Sequence, residues 1–128
     1  MEVITRGLLD LGLLRDNLRN LLDCGAYQPF YRHRVGHWRG TDVHDVGDYR
    51  VQGAWRQLEP GMVMTVEPGI YIPANDEQIP IEFRGMGIRI EGDVALTEQG
   101  ASVLSDGAPK PVRDIEYTMR HGRDFLTH

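Results

Sequence analysis

Sulfur is scarce in this chain: Cys24 is its single cysteine in 128 residues. No internal disulfide can form, and a reducing compartment, the cytoplasm, is the natural setting. Cys24 itself reads as a small packing residue on a helix rather than a nucleophile. No apolar run approaches the roughly 20 residues that span a bilayer, and the N-terminus has no signal-peptide core, so no membrane association is expected. Runs of Lys or Arg are also missing, and the net charge of −5 argues against a nucleic-acid binder. Neither an internal repeat nor a low-complexity segment occurs. What remains is ordinary for a soluble globular protein, with 41% hydrophobic and 26% charged residues. A chain of this length buries one modest core. Fifteen glycines imply many tight turns.

Residues 2–24 read as helix in two pieces, because Ile4, Leu8, Leu11, Leu14, Leu18, Leu21 and Leu22 recur at three- and four-residue steps. Gly12 weakens the middle, Asp16 is the expected N-cap of the second piece, and Gly25 is its stop. Tyr27 to Tyr31 is an aromatic turn around Pro29. Asp48 to Gln57 is polar and suits a surface loop. Met62 to Val66 is a strand candidate that bends at Pro68-Gly69 and continues through Ile70 to Ile72, and residues 73–84 form an irregular connection. Gly87 to Leu96 alternates, setting Ile88, Ile90 and Val94 against Arg89 and Glu91, with Gly92-Asp93 as a bulge or bend. A turn at 97–100, a short strand from Ala101 to Leu104 and a helical turn or two from Val112 to Met119 complete the chain. The tail from Arg120 to His128 is expected to be frayed.

Chemistry concentrates between His33 and Gly47, in HRVGHWRGTDVHDVG. Gly36, Gly40 and Gly47 would let backbone approach a ligand closely, or simply turn. His33 and His37 share the spacing of the zinc helix H-E-x-x-H, but Arg34 stands where that motif needs its glutamate, so a zinc protease of that kind is a poor match. Two carboxylates on strands are more informative. Glu67 lies in an otherwise apolar strand, and Glu91 lies beside Arg89 in the alternating one. A carboxylate turned inward from a strand is costly to bury unless a cation or donor neutralises it. One imidazole with two carboxylates is an oxygen-rich set suited to Mn, Co or Zn. Taken singly, such a histidine or glutamate is ordinarily a satisfied or half-exposed residue; their joint context carries the argument.

Three segments supply that context: HxxGHWxGxDVHDVG from His33, LEPGMVxTVEPGxYI from Leu58, and GxGIRIEGD from Gly85. Together they resemble the catalytic domain of the Xaa-Pro aminopeptidase (aminopeptidase P) branch of the pita-bread metallopeptidases, from the first helix to about Met119. The resemblance implies an α+β fold, with a curved antiparallel sheet and flanking helices: the second half of a pita-bread domain over residues 1–119. It implies metal ligation by His37, Glu67 and Glu91, with Glu91 bridging two ions and Mn²⁺ preferred over Co²⁺ or Zn²⁺. Catalytic roles fall to Glu67 as proton shuttle, to His33 and His44 as hydrogen-bonding partners of the scissile peptide, and to Arg89 as the group orienting a ligand carboxylate. The substrate would be a peptide with proline in second position.

The family's dinuclear site also uses two aspartates from strands preceding the first helix, and no residue here matches them. The chain alone is therefore expected to be inactive. A second chain would have to complete the centre; otherwise the chain is a non-catalytic remnant or binding module. A homo-oligomer is the other partner expected, since a half-fold leaves apolar surface exposed. A prolidase-type dipeptidase half is the enzymatic alternative. Three positions depart from the family's pattern: Arg34 replaces a glycine, Arg39 an apolar residue and Gly92 an acid. The two added cations, if turned inward, would weaken metal binding.

Overall fold

In chain order the elements are helices α1 (Glu2–Asp10) and α2 (Leu18–Asp23), strands β1 (Arg50–Val51), β2 (Ala54–Trp55), β3 (Val63–Val66), β4 (Gly69–Tyr71), β5 (Gly87–Arg89), β6 (Gly92–Thr97) and β7 (Gly100–Val103), and helix α3 (Val112–His121). The computed structural model describes residues 1–122. Every strand pairing among them is antiparallel, in three sheets: β1-β2, β3-β6-β7 and β4-β5. This is the α+β class that the segments imply. No helix among the described residues is long and apolar enough to cross a membrane.

The contacts group into two units. The first comprises Met1–Arg34 and Pro68–Arg89, the second Val35–Glu67 and the chain from Ile90 onward. In the first unit the leucine stripe finds its surface. Leu8 is wholly buried and packs with Phe30 and Ile79, while Ile4, Leu14, Tyr27, Ile70, Ile72 and Phe83 close around them. The aromatic turn thus delivers Phe30 to the core. Leu11, on the expected stripe, is instead 49% exposed, because α1 ends at Asp10 and Gly12 turns the chain with φ 72°. The cap of α2 is Asn17 rather than Asp16: the Asn17 side chain accepts from the Asn20 N–H at 2.9 Å, and Asp16 accepts from the Asn17 N–H. Cys24 is exposed at the end of α2 rather than packed. The connection 73–84 holds one 3-10 turn, Ile81–Phe83.

In the second unit β6 is the central strand, between β3 and β7. The segment expected as a polar loop, 48–57, contains the β1-β2 hairpin. Its Gln52-Gly53 turn has φ of 51° and 82°, the left-handed pair that a tight hairpin requires. The alternating stretch 87–96 is two strands rather than one: β5 pairs with β4, β6 pairs with β3, and the ladder breaks at Ile90-Glu91 instead of bending at Gly92-Asp93. Likewise β3 and β4 belong to different sheets and do not form one bent strand. Helix α3 runs to His121, beyond the expected Met119, so the described start of the tail is helical; residues 123–128 lie outside the described residues.

Candidate metal centre

Strand register builds the site. On one side of β3 the pairs are Met64 with Val94, Thr65 with Asp93 and Val66 with Gly92. Glu67 and Glu91 are the next residues where this pairing ends, and their carboxylates lie near one another. On the other side the chain from Val35 to Arg39 runs antiparallel to β3: the Arg39 N–H donates to the Val63 carbonyl at 3.0 Å, Thr65 N–H to His37 at 2.9 Å and Glu67 N–H to Val35 at 2.7 Å. Side chains alternate along a strand with period two. His37, Thr65, Glu67, Glu91 and Asp93 therefore share one face of the second unit, although the first and last are 56 positions apart.

On that face, His37, Glu67 and Glu91 each offer a ligand atom, and the three atoms lie within 4.8 Å of one another. The His37 Nδ1 is 2.9 Å from the Trp38 carbonyl. A carbonyl only accepts, so Nδ1 carries the hydrogen and the Nε2 lone pair is presented to the site. That nitrogen lies 3.2 Å from Glu67 Oε1. A lone pair and a carboxylate oxygen at that distance require a cation between them, a proton or a metal ion. Glu67 is 8% exposed and has the like-charged Glu91 within 4.8 Å, an arrangement that is destabilising without a shared cation. The donor set, one imidazole nitrogen and two carboxylates, fits Mn²⁺, Co²⁺ or Zn²⁺.

The remaining residues expected at the site divide between the units. His44 is exposed, with its ring 4.4 Å from that of His37, tilted by 53°. His33 and Arg89 lie in the first unit and meet on Tyr71: Arg89 Nε donates to the Tyr71 hydroxyl at 2.9 Å, which is 3.0 Å from His33 Nε2. The His33 Nδ1 is 2.7 Å from the Arg34 carbonyl and so carries hydrogen. Tyr71 accordingly donates to His33 while it accepts from Arg89. Arg39 turns to Asp93, Nε to Oδ1 at 3.5 Å, so its charge is matched by a carboxylate. The glycines of the histidine segment admit neighbouring protein atoms rather than a ligand. A Cβ at Gly36 would overlap the Thr65 carbonyl oxygen, one at Gly40 the Asp45 carboxylate, and one at Gly47 the Trp38 ring.

Sequence reasoning passed over Thr65 and Tyr71. Thr65 was signalled by its place two residues before Glu67 on the same face of a strand. Nothing in the sequence marked Tyr71.

An imidazole and two carboxylates within common coordination reach form a candidate divalent-metal site, and the sequence comparison places the chain in a metallopeptidase family. The sequence model of metallopeptidase family M24 matches residues 3–98, and the chain belongs to that family. It is similar to the Xaa-Pro aminopeptidase of Haemophilus influenzae, at 47% identity over 119 residues, covering 93% of this chain and 27% of that protein. The Escherichia coli Xaa-Pro aminopeptidase is 45% identical over 119 residues, with 93% of this chain and 26% of that protein covered. Among solved structures, Pseudomonas aeruginosa aminopeptidase PepP superposes with a TM-score of 0.89 at 55% identity, covering 93% of this chain and 27% of that one. Zinc-substituted E. coli aminopeptidase P gives 0.86 at 44% identity, with the same coverage. The fold is thus that of the corresponding part of a pita-bread aminopeptidase. The chain spans about a quarter of the length of these relatives.

Proposed function

We propose that this chain is the metal-binding part of an Xaa-Pro aminopeptidase, which releases the N-terminal residue from peptides with proline in second position. One observation carries the reading: the ligand atoms of His37, Glu67 and Glu91 lie within 4.8 Å of one another. These residues would hold a divalent ion, Mn²⁺ by preference, with Co²⁺ and Zn²⁺ accommodated by the same donors. The chemistry such an ion supplies is acidification of a bound water. Glu67, held by burial and by the hydrogen bond from Thr65, would serve as the proton acceptor for such a water. His33 and His44 hydrogen-bond the scissile peptide, and Arg89 orients a ligand carboxylate. Glu91 would also serve a second ion, whose two aspartate ligands no residue of this chain matches and which further polypeptide would have to supply. A cytoplasmic setting suits the exposed thiol of Cys24.

The test combines the chain with a polypeptide carrying the two aspartates and measures release of the first residue from an Xaa-Pro peptide in Mn²⁺. Turnover that needs both parts is expected. Mn²⁺ binding without turnover would identify a metal-binding remnant, and neither binding nor turnover would overturn the reading.

A further inference from the structure

Thr65 is wholly buried, yet its hydroxyl touches both residues that flank the cation position. It accepts from the His37 backbone N–H at 3.0 Å and donates to Glu67 Oε1 at 3.2 Å. In a regular antiparallel pair the His37 N–H would go to the Thr65 carbonyl, completing the exchange begun by the Thr65 N–H. Here it goes to the side chain, and Gly36 lies so close that a Cβ there would overlap that carbonyl oxygen. One hydroxyl with a single proton can serve both partners only in one order, accepting from the amide and donating to the carboxylate. That order fixes the His37 backbone and the rotation of the Glu67 carboxylate at once.

We infer that Thr65 is a positioning residue that preforms the His37–Glu67 pair for a divalent cation. The inference rests on the metal-centre reading above and names the group that sets its geometry. Thr65→Val keeps the branched shape and removes the hydroxyl; Thr65→Ser keeps the hydroxyl and removes a methyl. Mn²⁺ affinity of the full chain is measured by titration calorimetry for wild type and both variants, well below their melting temperatures, with circular dichroism as the check on folding. The expected result is a Kd raised roughly tenfold or more in Thr65→Val, and within about threefold of wild type in Thr65→Ser. A loss of packing alone would give the opposite ranking. Equal affinities for wild type and Thr65→Val would overturn the inference while leaving the metal centre standing; absence of Mn²⁺ binding in the wild type would overturn the metal centre itself. Should Thr65→Val not fold, Thr65→Ala takes its place. If neither folds, the hydroxyl is needed for the fold rather than for the cation, and the inference fails.

Discussion

Replacing Glu67 by glutamine separates the cost of the site from its use. Without a cation, Glu67 and Glu91 hold like charges with ligand atoms no more than 4.8 Å apart. At that separation and an effective dielectric of about 20, two carboxylates repel by about 3.5 kcal/mol. Glu91 is exposed, so solvent screens most of this, and about 1 kcal/mol survives. Glutamine keeps the volume of Glu67 and an oxygen to accept from Thr65. Glu67→Gln is therefore expected to raise the metal-free melting temperature by about 3 °C. Metal reverses the ranking. Mn²⁺ at a hundred times its Kd stabilises the wild type by about 2.7 kcal/mol, roughly 8 °C for a chain of this size. The variant, having lost an anionic ligand, gains a small fraction of that. Paired calorimetric melts with and without Mn²⁺ read both effects. A variant less stable than wild type without metal, yet equally stabilised by Mn²⁺, would refute the reasoning.

Three other substitutions test the surrounding structure. Leu8→Ala empties the centre of the first unit's core, where Leu8 has no exposed surface, and should cost about 3 kcal/mol in a denaturant melt. Gly36→Ala must push the Val35–Arg39 segment away from Thr65; about 1–3 kcal/mol of stability and most Mn²⁺ affinity should go with it, by melt and titration. Arg39→Leu removes a half-exposed cation paired with Asp93. Stability should change by less than about 1 kcal/mol, while Mn²⁺ binds somewhat more tightly for want of a nearby positive charge, as titration at low ionic strength would show.

His37, Glu67 and Glu91 could be singled out as candidates because each sits in a segment whose order and spacing are specific. What brings them together was not legible, since it resides in pairing: the β3-β6 register that ends beside Glu67 and Glu91, and the Val35–Arg39 segment laid along β3's other edge. Alternation in 87–96 was read correctly residue by residue, but it cannot reveal that consecutive rungs belong to different sheets. The β1-β2 hairpin escaped because its strands are two residues each and exposed, leaving only the Gln52-Gly53 turn as a signal. Asn17 took the cap from Asp16 because both side chains suit the role and the turn's geometry chose between them. Tyr71, the common partner of His33 and Arg89, looks from sequence like any aromatic in a strand; its hydroxyl acquires meaning only when both partners reach it.

The most direct measurement is an anomalous difference map from crystals of the chain soaked in Mn²⁺, recorded near the manganese edge. A peak within bonding distance of His37 Nε2 and of a carboxylate oxygen from both Glu67 and Glu91, absent from His37→Ala crystals treated alike, is the predicted result. Density at some other place, or none with the three side chains well ordered, would contradict it.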